Sequence, residues 1–232
     1  MAESGIFGKL PGHGDFIQRG VPASFSQPWD DWLQRAIYGS REIVGEGWLD
    51  YYLTSPIWRF ALSPGVLDGH AWAGVLVPSV DSVGRYFPLT MVAASACERN
   101  PFVIQAAAEN WYEHISETAI QGLQQALLVE ELLERFPSFP ELTVQNPAKP
   151  LGGGEIFFSG QSGVTESFAP LLGHICTLQY QSFSLWWCGG SQHLAPTTLL
   201  SAGLPDPSLY CSMLGASSGE SIDFGTGQIM RW

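Results

Sequence analysis

Apolar positions along this chain change their spacing several times, and each spacing predicts an element. Trp29, Trp32, Leu33, Ala36 and Ile37 recur at helical intervals, while Asp30, Asp31, Gln34 and Arg35 take the other face, which predicts an amphipathic helix. Pro28 suits its first turn, the two aspartates complement its dipole, and Gly39 is expected to end it. Trp48–Leu53 predicts a second, short helix stopped before Pro56. Ile57–Leu62 and Ala71–Val77, separated by the turn signals SPG and DG, predict an antiparallel hairpin with a long loop. Asn100 followed by Pro101 supplies a cap and a first helical residue, and helical spacing continues to Arg135 with a break expected near Gly122.

The remaining pattern is extended. Strands are expected at about 5–10, 57–62, 71–77, 86–95, 156–159 and 179–188. Pro11–Gly14 breaks the first of them, and Asp15–Arg19 follows as a hinge. Thr177–Cys188 is apolar and aromatic and reads as a buried strand, Ser167–Leu172 as a helix start, and Leu204–Pro207 as a turn. Interleaved strands and helices, with strands apolar on both faces, predict an α/β fold: a mixed β-sheet flanked by helices on both faces, a three-layer α/β/α sandwich. The chain is expected to form a single domain over 1–232, with subdivision conceivable only near 137–154, where four prolines and a GGG cluster.

The stretch that carries most chemistry is Pro78–Thr90, PSVDSVGRYFPLT, between two apolar runs. A connection that only turned would hold Gly, Asn and Ser; this one holds Asp81, Arg85, Tyr86 and Phe87 between two prolines. Asp81 and Arg85 are close enough to pair through two hydrogen bonds. They form either a structural pair closing the loop or part of a presented binding surface. Arg59, between Trp58 and Phe60, suits stacking on a ring or pairing with an acid inside the fold.

Charge removes several function classes. The net charge is −12 with only two lysines, Lys9 and Lys149, so no basic stripe exists for nucleic acid or an anionic membrane surface. Residues 91–141 carry eight acids against two bases, and Glu109, Glu113 and Glu117 line one helical face as a solvated flank or a dock for a basic partner. No apolar run is long enough to span a bilayer, and no basic-then-apolar leader opens the chain. Cys97, Cys176, Cys188 and Cys211 are widely spaced with no CxxC, which fits reduced thiols in the cytoplasm rather than a zinc site.

Catalytic and metal constellations fail on inspection. GASSG at 215–219 matches G-x-S-x-G but has no histidine after it, since His193 lies upstream. Gly8–Lys9 lacks the P-loop spacing and hydroxyl. Gly152–Gly154 is followed by Glu155, which opposes phosphate. His13 and Asp15 are two potential ligands where a site needs more, and Asp15 bonding backbone amides in a turn is the expected arrangement. No catalytic residue, metal or cofactor is expected.

The stretch PSVDSVGRYFPLT, with Gly5–Pro11 and Asp15–Phe16 (GIFGKLP and GDF), Trp29–Leu33 (WDDWL), Pro56–Leu62 (PIWRFAL) and Ser184–Trp187 (SLWW), resembles the TagF family of type VI secretion-associated proteins. The motifs run in family order and the resemblance extends over most of the chain. It implies a non-enzymatic, post-translational repressor of type VI secretion that acts through the forkhead-associated-domain scaffold protein of the apparatus. It makes Lys9, Asp15, Arg19, Asp81 and Arg85, all within family motifs, the candidate partner-binding surface. The alternative is a small-molecule or anion sensor in which Arg59 and Arg85 grip an anion; both guanidiniums unpaired in one cleft would favour it, and Arg85 bonded to Asp81 would weaken it.

Overall fold

The computed structural model describes residues 4–142, 149–152, 155–157 and 164–216. Strands β1 (Ser4–Gly8) and β2 (Ile17–Arg19) lead into helix α1 (Ala23–Val44) and the short α2 (Trp48–Leu53). Strands β3 (Trp58–Leu62), β4 (Ala71–Val77) and β5 (Leu89–Ser95) follow, then helices α3 (Pro101–Ala107), α4 (Glu109–Gln124) and α5 (Val129–Glu134). A separate two-stranded hairpin, β6 (Lys149–Gly152) with β7 (Glu155–Phe157), precedes α6 (Phe168–Tyr180), β8 (Phe183–Cys188), β9 (Thr197–Ala202) and α7 (Pro207–Met213).

Seven strands form one sheet in the order β2-β1-β5-β4-β3-β8-β9. Alternating side chains of the strands point to opposite faces, and each face has its own core. Ala61, Ala73, Val75, Met91 and Ala93 meet Ile104, Tyr112 and Ile115 of α3 and α4 on one side. Phe60, Leu62, Trp72, Val92 and Trp186 meet Trp29, Trp32 and Leu33 of α1, with Tyr52 of α2 and Tyr210 of α7, on the other. The α/β sandwich with helices on both faces is therefore present. One detail is corrected: every pairing in this sheet is antiparallel, where a mixed sheet is the sequence expectation. Strands apolar on both faces usually signal parallel pairing; here helices cover both faces of a sheet whose neighbours run in opposite directions.

Element boundaries differ from the sequence pattern for physical reasons. Helix α1 begins at Ala23, so Pro28 lies inside it, and it runs through Gly39 to end at Gly45, which takes a positive φ of 71°. Gly39 is a packing position instead of a stop, since a Cβ there would stand 2.5 Å from Cβ of Pro207 in α7. The break expected near Gly122 falls just after Gln124, before α5 begins at Val129, and a second, unexpected break lies at Ala108. Thr177–Tyr180 belongs to helix α6, and the strand begins only at Phe183. Strand β9 and helix α7 were not expected; β5 begins at Leu89, with Tyr86 held in an isolated bridge to Val80. Phe158 and Ser159 of the expected 156–159 strand lie outside the described residues.

Candidate functional site

The Pro78–Thr90 loop does pack back on the body, and it does so around Asp81. The Asp81 side chain is fully buried, and its Oδ2 accepts hydrogen bonds from Lys9 Nζ and Arg85 Nε, each at 2.7 Å. Its Oδ1 accepts the backbone N–H groups of Val83 at 3.1 Å and Arg85 at 2.8 Å. Gly84, with φ of 86°, provides the turn that brings those amides round, and Asp81 N–H donates to the Arg85 carbonyl at 3.1 Å. Burial alone would raise the Asp81 pKa. The Lys9 ammonium, the Arg85 amide and guanidinium and the Val83 amide outweigh it and hold the carboxyl far below the usual carboxylate range.

That depression has a signed consequence for stability. A carboxyl whose folded-state pKa is lowered stabilises the fold fully above its unfolded value, near pH 4, and loses this contribution as pH falls through the folded value. Between about pH 5 and about pH 2 the thermal midpoint of the wild type should fall more steeply than that of Asp81→Asn. Equal slopes would remove Asp81 from the acid response.

The β1–β2 turn, residues 9–16, is clamped to the same loop. Ser79 Oγ donates to the Lys9 carbonyl at 2.6 Å, Ser82 N–H to the His13 carbonyl at 2.9 Å, and the Arg85 guanidinium to the Gly14 carbonyl. From below, the Tyr52 hydroxyl donates to the Ser79 carbonyl at 2.9 Å and accepts its N–H at 3.0 Å. His13 Nε2 accepts the Val129 N–H at 2.8 Å, at the start of α5. Two loops far apart in sequence thus become one rigid platform.

The five candidate residues divide on this platform. Lys9 and Asp81 are interior and hold the loops together. Arg85 is 57% exposed beyond its Asp81 bond. Asp15 and Arg19 are exposed, and among the described residues the Arg19 side chain bonds only the Gln18 carbonyl, at 2.9 Å. The expectation that Asp15 binds turn amides is corrected, because Asp81 has that role and Asp15 faces solvent without a partner among the described residues. The geometry weakens the anion-sensor arrangement. Arg59 Nη1 bonds Glu109 Oε1 of α4 at 2.7 Å and Arg85 bonds Asp81, so both guanidiniums are partnered by acids. Ser217 of the GASSG segment lies outside the described residues. Among the described residues no group of three or more His, Cys, Asp or Glu could hold a metal ion, and no helix is long and apolar enough to cross a membrane.

Sequence reasoning missed a cleft beside the platform. It has a volume of about 450 Å³ and opens between the β1–β2 turn and α1, with Phe7, Phe16 and Phe87 on one wall and Gln27, Asp30 and Gln34 of α1 on the other. Phe16 is 42% exposed. The available signal was an aromatic in each of two charged loop motifs, GDF and RYFP.

The other shared motifs meet in the core. Trp29 stacks on Trp186 with rings 6.0 Å apart and 9° from parallel, and lies 5.0 Å from the Phe60 ring and 4.7 Å from Trp32. Its Nε1 donates to Thr90 Oγ1 at 2.9 Å, tying this seam to the end of the platform loop. WDDWL, PIWRFAL and SLWW are thereby one architectural unit.

The family model of the TagF N-terminal domain, described as type VI secretion system-associated, matches residues 5–138. The crystal structure of PA0076 from Pseudomonas aeruginosa PAO1 is similar to this chain with a TM-score of 0.76 and 33% sequence identity, covering 91% of this chain and 93% of that one. No curated protein sequence matches. The matched residues 5–138 include the whole platform and both walls of the cleft.

Proposed function

This chain belongs to the TagF family, associated with the type VI secretion system, and from that premise we propose that it is a non-enzymatic, post-translational repressor that binds the forkhead-associated-domain scaffold protein of the apparatus. The observation that carries the reading is the platform itself. Asp81 has its oxygens committed to four donors, so it serves as a brace and not as an acid or base. What it braces is a preformed surface bearing Asp15, Arg19 and the outer part of Arg85. Preformed surfaces bind with little ordering cost. We assign the protein to the cytoplasm, a reading supported by four cysteines that stand as free thiols. We treat residues 1–232 as one domain, supported by the pairing of β8 with β3.

The test is retention of the scaffold protein by the immobilised full chain. Wild type should retain it at micromolar concentration, and the double variant Asp15→Ala/Arg19→Ala, both positions exposed, should weaken retention by about tenfold while leaving the thermal midpoint unchanged. Absence of retention by wild type would overturn the reading.

A further inference from the structure

We propose that the cleft between the platform and α1 is the docking site for a basic side chain, arginine by preference, of the partner protein. This rests on the partner-binding reading above and specifies its chemistry. Phe7, Phe16 and Phe87 are inclined to one another by 62–75° with centroids 4.8–6.3 Å apart, so they form an aromatic corner rather than a flat stack. Phe7 is buried behind the corner, so the accessible members are Phe16, 42% exposed, and half-buried Phe87; cations bind ring faces, and a planar guanidinium also stacks on them.

The opposite wall offers acceptors. Among the described residues Asp30 is the only charged one lining the cleft. Gln34 Nε2 donates to its Oδ2 at 2.6 Å, leaving Oδ1 without a partner among the described residues. Gln18 Nε2 is likewise turned away, to Ser26 Oγ at 2.9 Å, so its carbonyl oxygen remains to accept. A guanidinium has five N–H donors and no acceptor, which complements this lining, and an anion does not. Burial pushes the Asp30 carboxyl up, and the Asp31 charge adds to that against the Gln34 bond. A cation seated beside it would relieve both. The cleft is open along one side and adjoins exposed Phe16 and Asp15, which suits a side chain projecting from a protein surface.

The probes are N-acetylarginine amide and its uncharged isostere N-acetylcitrulline amide, titrated into the full-length 15N-labelled protein at constant ionic strength. The arginine probe should shift the amides of Phe16, Gln18, Asp30 and Gln34 saturably, with a dissociation constant on the order of millimolar. The citrulline probe should bind about three- to fivefold more weakly, and Asp30→Asn should abolish the difference. Equal binding of both probes, or no shift at these residues, would overturn the site. Scaffold retention is measured in parallel, and Asp30→Asn and Phe16→Ala should both reduce it. If wild type and both variants retain the scaffold equally, docking through the cleft is wrong while the repressor reading stands. If wild type retains none, the repressor reading falls and partner docking falls with it.

Discussion

Replacing Trp29 by alanine is expected to cost the fold about 3–5 kcal/mol. Trp29 is fully buried and sits where α1, β3 and β8 meet, with Phe25, Trp32, Phe60 and Trp186 around its ring. Truncation removes a large apolar area and leaves a cavity between rigid aromatic neighbours that cannot collapse into it. It also orphans the Thr90 hydroxyl, which accepts the indole N–H in the buried seam. Against a total stability of roughly 5–15 kcal/mol, such a loss would leave a marginal protein. Urea unfolding followed by far-ultraviolet circular dichroism gives the comparison. Thr90→Val, which removes only the acceptor, should cost about 1–3 kcal/mol, and Tyr38→Ala, at a position 69% exposed, should cost little. A Trp29 variant no less stable than the Tyr38 variant would show that the aromatic seam is not the centre of the fold.

The second large effect concerns where the molecule can be divided. The family match ends at residue 138, so a fragment 1–138 is the natural piece to express. It should fail to unfold cooperatively. Strand β3 pairs with β8 from Arg59↔Trp187 to Leu62↔Ser184, and without β8 it becomes a long exposed edge. Trp32 Nε1 donates to the Pro205 carbonyl at 2.6 Å and Trp58 Nε1 to the Met213 carbonyl at 3.0 Å, so two core indoles lose their acceptors. Loss of the Trp186 ring alone removes burial worth roughly 5 kcal/mol. The measurement is urea titration of the fragment beside the full chain. A sharp sigmoidal transition in the fragment would establish an independent unit and put a domain boundary near 137–154.

What the sequence made legible was mostly local. Asp81 and Arg85 lie four positions apart, and their pairing could be anticipated. Lys9, the other cation on the same oxygen, is 72 positions from Asp81 and comes to it only through the β1–β5 pairing. The helical spacing of Trp29–Ile37 found the core face of α1, whereas Gly39 misled because a mid-helix glycine costs about 1 kcal/mol and usually marks an end. Its reason is Pro207, in a helix the pattern did not predict. That helix begins with Asp206 accepting the Leu209 N–H at 2.8 Å ahead of Pro207, a capping signal hidden in what looked like a turn, LPDP. Strand β9 escaped because it is a sheet edge with no buried position: Thr198, Leu200 and Ala202 are exposed and Thr197, Leu199 and Ser201 half-buried, so TTLLSA offers only a two-residue apolar run. The cleft was invisible for a different reason. Its walls come from three separate segments, and the positions of Phe16 and Asp30 say nothing about their meeting until the sheet and α1 are in place.

The near-parallel pair of Trp29 and Trp186 joins the family-matched region to the part of the chain beyond it. Indoles held close in fixed mutual orientations couple their excited states, and Trp186 lies 6.0 Å from Trp29 and 5.4 Å from Trp32, which are themselves 4.7 Å apart. The circular dichroism of this three-indole cluster should therefore change, and not vanish, when β8 leaves β3, readable without any label.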